Sequence, residues 1–180
     1  WWCFSPIWYL IAVFIPFAVT AASTWAAISL FNAKIPKNLF SPSFGIGFLI
    51  FFLIWDGLGE EVGWRGLALP LLQDRLGSLG GNILLGFIWA LWHLPLFLMP
   101  GSLQYGNSLI IYVYLITCWS IVMALLVNKA QGSVLVAILF HESANFIAFT
   151  IRYPRTYFVL FMWGIAAVIA AVFFPLPLFK

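Results

Sequence analysis

Of 180 residues, 64% are hydrophobic, 19% are aromatic and only 7% are charged, against the roughly 25% charged share of an ordinary soluble domain. The net charge of +3, eight Lys and Arg against five acids, gathers no basic face, which excludes nucleic acid as a partner and leaves the lipid bilayer as the main surrounding. A crossing takes about 20 apolar residues, so the composition predicts an all-α, polytopic transmembrane helical bundle of about six spans, one membrane domain over 1–180. The chain opens at Trp1 without a basic n-region and small-residue cleavage site, as expected of an excerpt lacking N-terminal residues.

The first predicted span runs from about Ile7 to Phe31 and closes at Asn32, where Lys34, Pro36 and Lys37 mark an interfacial loop. The second begins near Phe44 and stays apolar to Trp55. It then takes up Asp56, Glu60, Glu61 and Arg65 before ending near Gln73 and Asp74, too polar a course for a simple anchor. The third covers about Gly81 to Met99 and contains His93. The fourth, about Leu109 to Val127, is apolar apart from hydroxyls and Cys118 and reads as scaffold. The fifth, about Ser133 to Ile151, contains His141, Glu142 and Asn145; the sixth, about Tyr157 to Phe174, is plain hydrocarbon. Cys3 and Cys118 have neither metal-clip spacing nor the density of a disulfide framework and are expected to be inert.

A charged group at the bilayer centre costs at least about 2.5–3.5 kcal/mol on insertion scales, so an acid inside a span is expected to face the bundle interior or a wet cavity. Glu61 and Arg65 stand four residues apart with the acid first, the favourable order for a helical ion pair, which leaves Glu60 without a partner on its own helix. The plainer alternative is a solvated helix end, which the glycines Gly57, Gly59, Gly63 and Gly66 would favour by weakening the helix. Trp89 and His93 are again four apart, so the indole is expected to pack on the imidazole, with Pro95 loosening the helix just beyond. His141 and Asn145 repeat the spacing and share one face, with Glu142 turned aside. His93 alone reads equally well as a structural group bonded to a neighbouring carbonyl, and helix-packing glue explains one His–Asn pair; three polar clusters on three helices converge more naturally on one site.

Taken together, Glu60-Glu61-x-x-x-Arg65, Trp89-x-x-x-His93 and His141-x-x-x-Asn145 resemble the ordered signature of the CPBP (CAAX protease and bacteriocin-processing) family, also called ABI, whose members include the Ras-converting type of CAAX prenyl endopeptidase. The resemblance covers about residues 44–150, including Gly-Trp-Arg-Gly after the glutamates. It departs in Trp89, where the family often has Phe. It implies a multi-pass protein of the cell membrane that hydrolyses a peptide bond in a membrane-associated peptide or protein substrate, prenylated in the CAAX case or a leader peptide. On that reading Glu60 and His93 activate a water and His141 with Asn145 stabilises the oxyanion. Glu61, Arg65 and Trp89 take supporting places.

The family also carries the label metalloprotease, and Glu60, His93 and His141 can supply a two-His, one-Glu zinc site. No His-Glu-x-x-His turn exists, since Asn145 stands where the second imidazole belongs, so a cofactor-free glutamate mechanism is expected. Two other functions stand beside the peptidase: a bacteriocin-immunity or membrane scaffold protein of the same family, and a proton-coupled transporter. The latter class often shows internal repeats, and none of period 20–50 recurs here.

Overall fold

The computed structural model describes residues 5–34, 37–38, 50–150 and 157–173, all of whose regular structure is helical. Cys3, Pro36, the start of the second span at Phe44, and the ends assigned to Ile151 and Phe174 lie outside the described residues. Helix α1 (Ile7–Phe31) ends at Asn32, which takes the left-handed conformation (φ 52°). Its backbone N–H donates to the Ile28 carbonyl and that of Ala33 to the Ala27 carbonyl, the paired C-terminal bonds that satisfy the last turn.

From Ile50 to Leu98 the chain is one helical stretch of 49 residues. Extended straight it would reach about 73 Å, more than twice the roughly 30 Å hydrocarbon layer. It does not run straight. It passes through a π-helical turn (Leu53–Leu58), α2 (Gly59–Gly63), a second π-helical turn (Trp64–Ala68) and α3 (Leu69–Trp92), and α3 breaks at Gly77. There φ is 73° and ψ is 170°, a conformation essentially reserved for glycine. Trp89 is hydrogen-bonded to Glu60, 29 residues earlier. A straight helix would hold them about 43 Å apart, so Gly77 is the corner of a helical hairpin whose limbs are the second and third predicted spans. Gln73 on one limb donates to Asn82 on the other at 2.5 Å, and Asn128 donates to Gln73 at 3.4 Å.

The second limb closes at His93, and a short α4 (Leu94–Leu98) carries Pro95 in its first turn. Helices α5 (Leu109–Lys129), α6 (Val134–Thr150) and α7 (Tyr157–Phe173) complete the bundle, which bears out the all-helical, six-limbed expectation. Helix α3 packs on α5, α1 on α6 and α7, and α5 on α7. The α3–α5 approach is close because position 86 is glycine: a Cβ there would stand 2.7 Å from the Thr117 Cα. Trp119, Phe140 and Trp163 meet with ring centroids 5.6–6.3 Å apart and knit α5, α6 and α7 together. Outward faces are apolar, with Trp25, Phe31, Leu67, Ile110 and Val172 each more than 60% exposed, as lipid contact requires.

Candidate active site

Two consecutive glutamates on a helix point about 100° apart, and the fold gives them different surroundings. Glu61 has no exposed surface and Arg65 has 2%. Arg65 Nη1 donates to Glu61 Oε1 at 2.9 Å and Oε2 at 3.0 Å, the ion pair that their spacing predicts. A solvated helix end is ruled out by that burial. The four nearby glycines do not break the chain either: α2 and its two π-helical flanks are continuous through them. From α6, His141 brings Nδ1 to 2.8 Å from Glu61 Oε1, so a residue 80 positions away completes the sealed group. A carboxylate only accepts, so Nδ1 carries the proton and Nε2 is the ring's remaining polar atom. The Arg65 guanidinium also lies 4.2 Å over the Trp89 ring, a desolvated cation–π contact.

Glu60 and His93 keep access. Their side chains are 19% and 15% exposed, and Glu60 Oε1 faces His93 Nε2 at 4.0 Å. That separation is too long for a direct hydrogen bond. His93 Nδ1 lies 2.9 Å from the Trp89 carbonyl, which can only accept, so Nδ1 is the protonated nitrogen and Nε2 is turned toward Glu60 as a free lone pair in the neutral ring. The Trp89 indole donates to Glu60 Oε2 at 2.6 Å, packs against His93 with centroids 6.1 Å apart, and meets the His141 ring edge-on at 5.2 Å. The expected packing of Trp89 against His93 is present as an edge-on contact, and three helices supply one connected cluster.

Asn145 is held elsewhere than its motif suggests. Its Nδ2 donates at 3.5 Å to Oδ2 of Asp56, four residues before Glu60 on the same run. Sequence reasoning noticed Asp56 as one more acid and gave it no part; the i, i+4 spacing to Glu60 was the signal that put both on one face. Tyr112 was also missed. Helix α5 is not scaffold alone, because the Tyr112 ring lies 5.4 Å from the His93 imidazole. Glu142 leans toward the first π-helical turn, where a Cβ on Gly57 would come within 3.0 Å of its Oε1, and that oxygen is buried without a hydrogen-bond partner among the described residues.

Glu60 Oε1, His93 Nε2 and His141 Nε2 are left uncommitted by the hydrogen bonds at their other polar atoms, the pattern that both a water-activating site and a metal site use. Among the described residues no group of three His, Cys, Asp or Glu side chains is arranged to hold an ion.

Residues 42–147, more than half of the chain, match the family described as Type II CAAX prenyl endopeptidase Rce1-like. The chain belongs to this family. A curated relative of the Rce1-like chain, CAAX prenyl protease 2 of Methanococcus maripaludis, is 33% identical over 125 residues; the match covers 64% of this chain and 46% of the relative. The chain therefore spans about half the length of the relative it matches. Membership and the apolar helices together make this Rce1-like chain an integral membrane protein.

Proposed function

We propose that this chain carries the catalytic part of an intramembrane endopeptidase acting on a membrane-tethered peptide or protein, a prenylated CAAX tail in the first instance, in the cell membrane. The observation that carries the reading is the contrast between adjacent glutamates: Glu61 is sealed in an ion pair, while Glu60 Oε1 faces His93 Nε2 across a 4.0 Å gap with both side chains partly exposed. A water between a carboxylate and an imidazole loses its proton as its oxygen attacks the scissile carbonyl carbon. The C–N bond then breaks, the proton passes to the leaving nitrogen, and a carboxylate and an amine result.

The tetrahedral oxyanion falls to His141 and Asn145. His141 Nδ1–H is committed to Glu61, so its Nε2 donates to the oxyanion only when the ring carries both protons; the Glu61 carboxylate at 2.8 Å supports that charged form. Asn145 has two amide hydrogens and spends one on Asp56. The proposed reaction uses no metal, a reading supported by Asn145, a poor zinc ligand, standing beside His141 where a zinc-binding helix places its second imidazole.

The test is cleavage of prenylated CAAX peptides and leader peptides by purified protein in liposomes. Glu60→Gln should abolish turnover and leave the helical content and melting curve unchanged. Failure to cleave any peptide, with the protein folded, would favour an immunity or scaffold role. Exhaustive chelation should leave activity intact with negligible bound zinc; stoichiometric zinc, with activity lost on chelation and restored by zinc, would make Glu60, His93 and His141 ligands instead.

A further inference from the structure

The side chain that touches most of this site is neither acid nor base. Trp89 meets four of its members through four separate features. Its indole N–H donates to Glu60 Oε2 at 2.6 Å, its carbonyl accepts from His93 Nδ1 at 2.9 Å, its ring face lies 4.2 Å from the Arg65 guanidinium carbon, and the ring meets His141 edge-on at 5.2 Å. The residue is 1% exposed and so is held from all sides. We infer that Trp89 is a positioning residue for the general base: by occupying Glu60 Oε2, the indole turns Oε1 toward His93 Nε2 and fixes the carboxylate plane in which water is held. This rests on the peptidase reading given above.

The geometry separates this role from simple packing. Among the described residues the indole N–H is the single hydrogen-bond donor to Glu60, so without it no hydrogen bond fixes the rotation of the carboxylate. The Trp89 carbonyl belongs to the backbone and survives any substitution, which leaves His93 oriented. A phenylalanine at 89 keeps an aromatic face for Arg65 and an edge for His141 while removing the donor together with part of the ring's volume. The packing loss is read in the melting curve and the loss of the donor in the turnover step.

Two measurements test this. Trp89→Phe should lower kcat by about 10–100-fold, the worth of a hydrogen bond to a charged group, with KM within about twofold and the cooperative unfolding transition retained. Independently of activity, the indole N–H resonance of Trp89 in ¹⁵N-tryptophan-labelled protein, identified by its loss in Trp89→Phe, should move upfield in Glu60→Gln as a charge-assisted bond becomes a neutral one. A resonance that does not move overturns the inference whatever the kinetics show. Cleavage by wild-type protein with full kcat in Trp89→Phe overturns this role alone. Wild-type protein that cleaves nothing overturns the peptidase reading, and this role with it.

Discussion

Replacing Arg65 by methionine tests whether the sealed ion pair is held by charge or by shape. With the charge centres about 4 Å apart, attraction amounts to about 4 kcal/mol at an effective dielectric near 20. The cost of drying both ions is several kcal/mol each, so the intact pair contributes little net stability. Removing one member is another matter. Glu61 has no exposed surface and would keep only His141, so Arg65→Met should destabilise the bundle by about 3–5 kcal/mol. In a chain of this size that corresponds to a fall in melting temperature of roughly 6–20 °C, read by thermal unfolding in detergent. Methionine is chosen because its flexible thioether fills the guanidinium's place over Trp89 and limits the cavity. The double variant Glu61→Gln with Arg65→Met strands no charge and should recover most of the loss. If single and double variants melt together, the stranded-charge argument fails and the cost lies in packing and the cation–π contact; if Arg65→Met melts with the wild type, Glu61 is not an uncompensated buried charge.

Two backbone positions give further expectations. Gly77→Ala has open space for its Cβ, so its cost is conformational alone; at φ 73° and ψ 170° it should amount to about 1–3 kcal/mol in the same melt. Gly86→Val drives side-chain carbon against the Thr117 backbone, which cannot retreat without parting α3 from α5, and should cost about 1–3 kcal/mol or more. Cysteine cross-linking between those helices would register the separation.

The helical spans were legible because hydropathy is a one-dimensional property, and the Glu61–Arg65 pair because it is local: four residues on one helix meet wherever the helix goes. The sequence also placed Trp89 over His93 by the same rule. What it missed came from other helices. Nothing local to Trp89 announces Glu60, 29 residues away, because the meeting depends on the hairpin corner at Gly77, and that glycine is one of 14. Tyr112 was passed over for the same reason, since it gains its meaning from His93 on another helix; Asp56 had a local signal in its spacing to Glu60, but its partner Asn145 also lies on another helix. His141 was read by its spacing to Asn145, yet its short hydrogen bond runs to Glu61.

The adjacency of Glu60 and Glu61 then has a physical reason. On the proposed reading, a base working inside a membrane needs water at its carboxylate and fixed charge around it, and one side chain cannot be both wet and sealed. Two consecutive positions, about 100° apart on the helix, separate the two needs. Glu61 goes inward, where Arg65 and His141 close over it; Glu60 stays at the edge with His93, where both side chains are partly exposed. The π-helical turns on either side add residues to the local turn and are common where a helix is bent to functional use. Trp89 joins the two halves, since its ring covers Arg65 and its N–H reaches Glu60. A change on the sealed side that tilts this ring moves the Glu60 carboxylate, so stability and turnover should fall together for Arg65 variants, whereas Trp89→Phe, which keeps an aromatic ring beside Arg65 and loses the N–H, should lower turnover by more than its loss of stability accounts for.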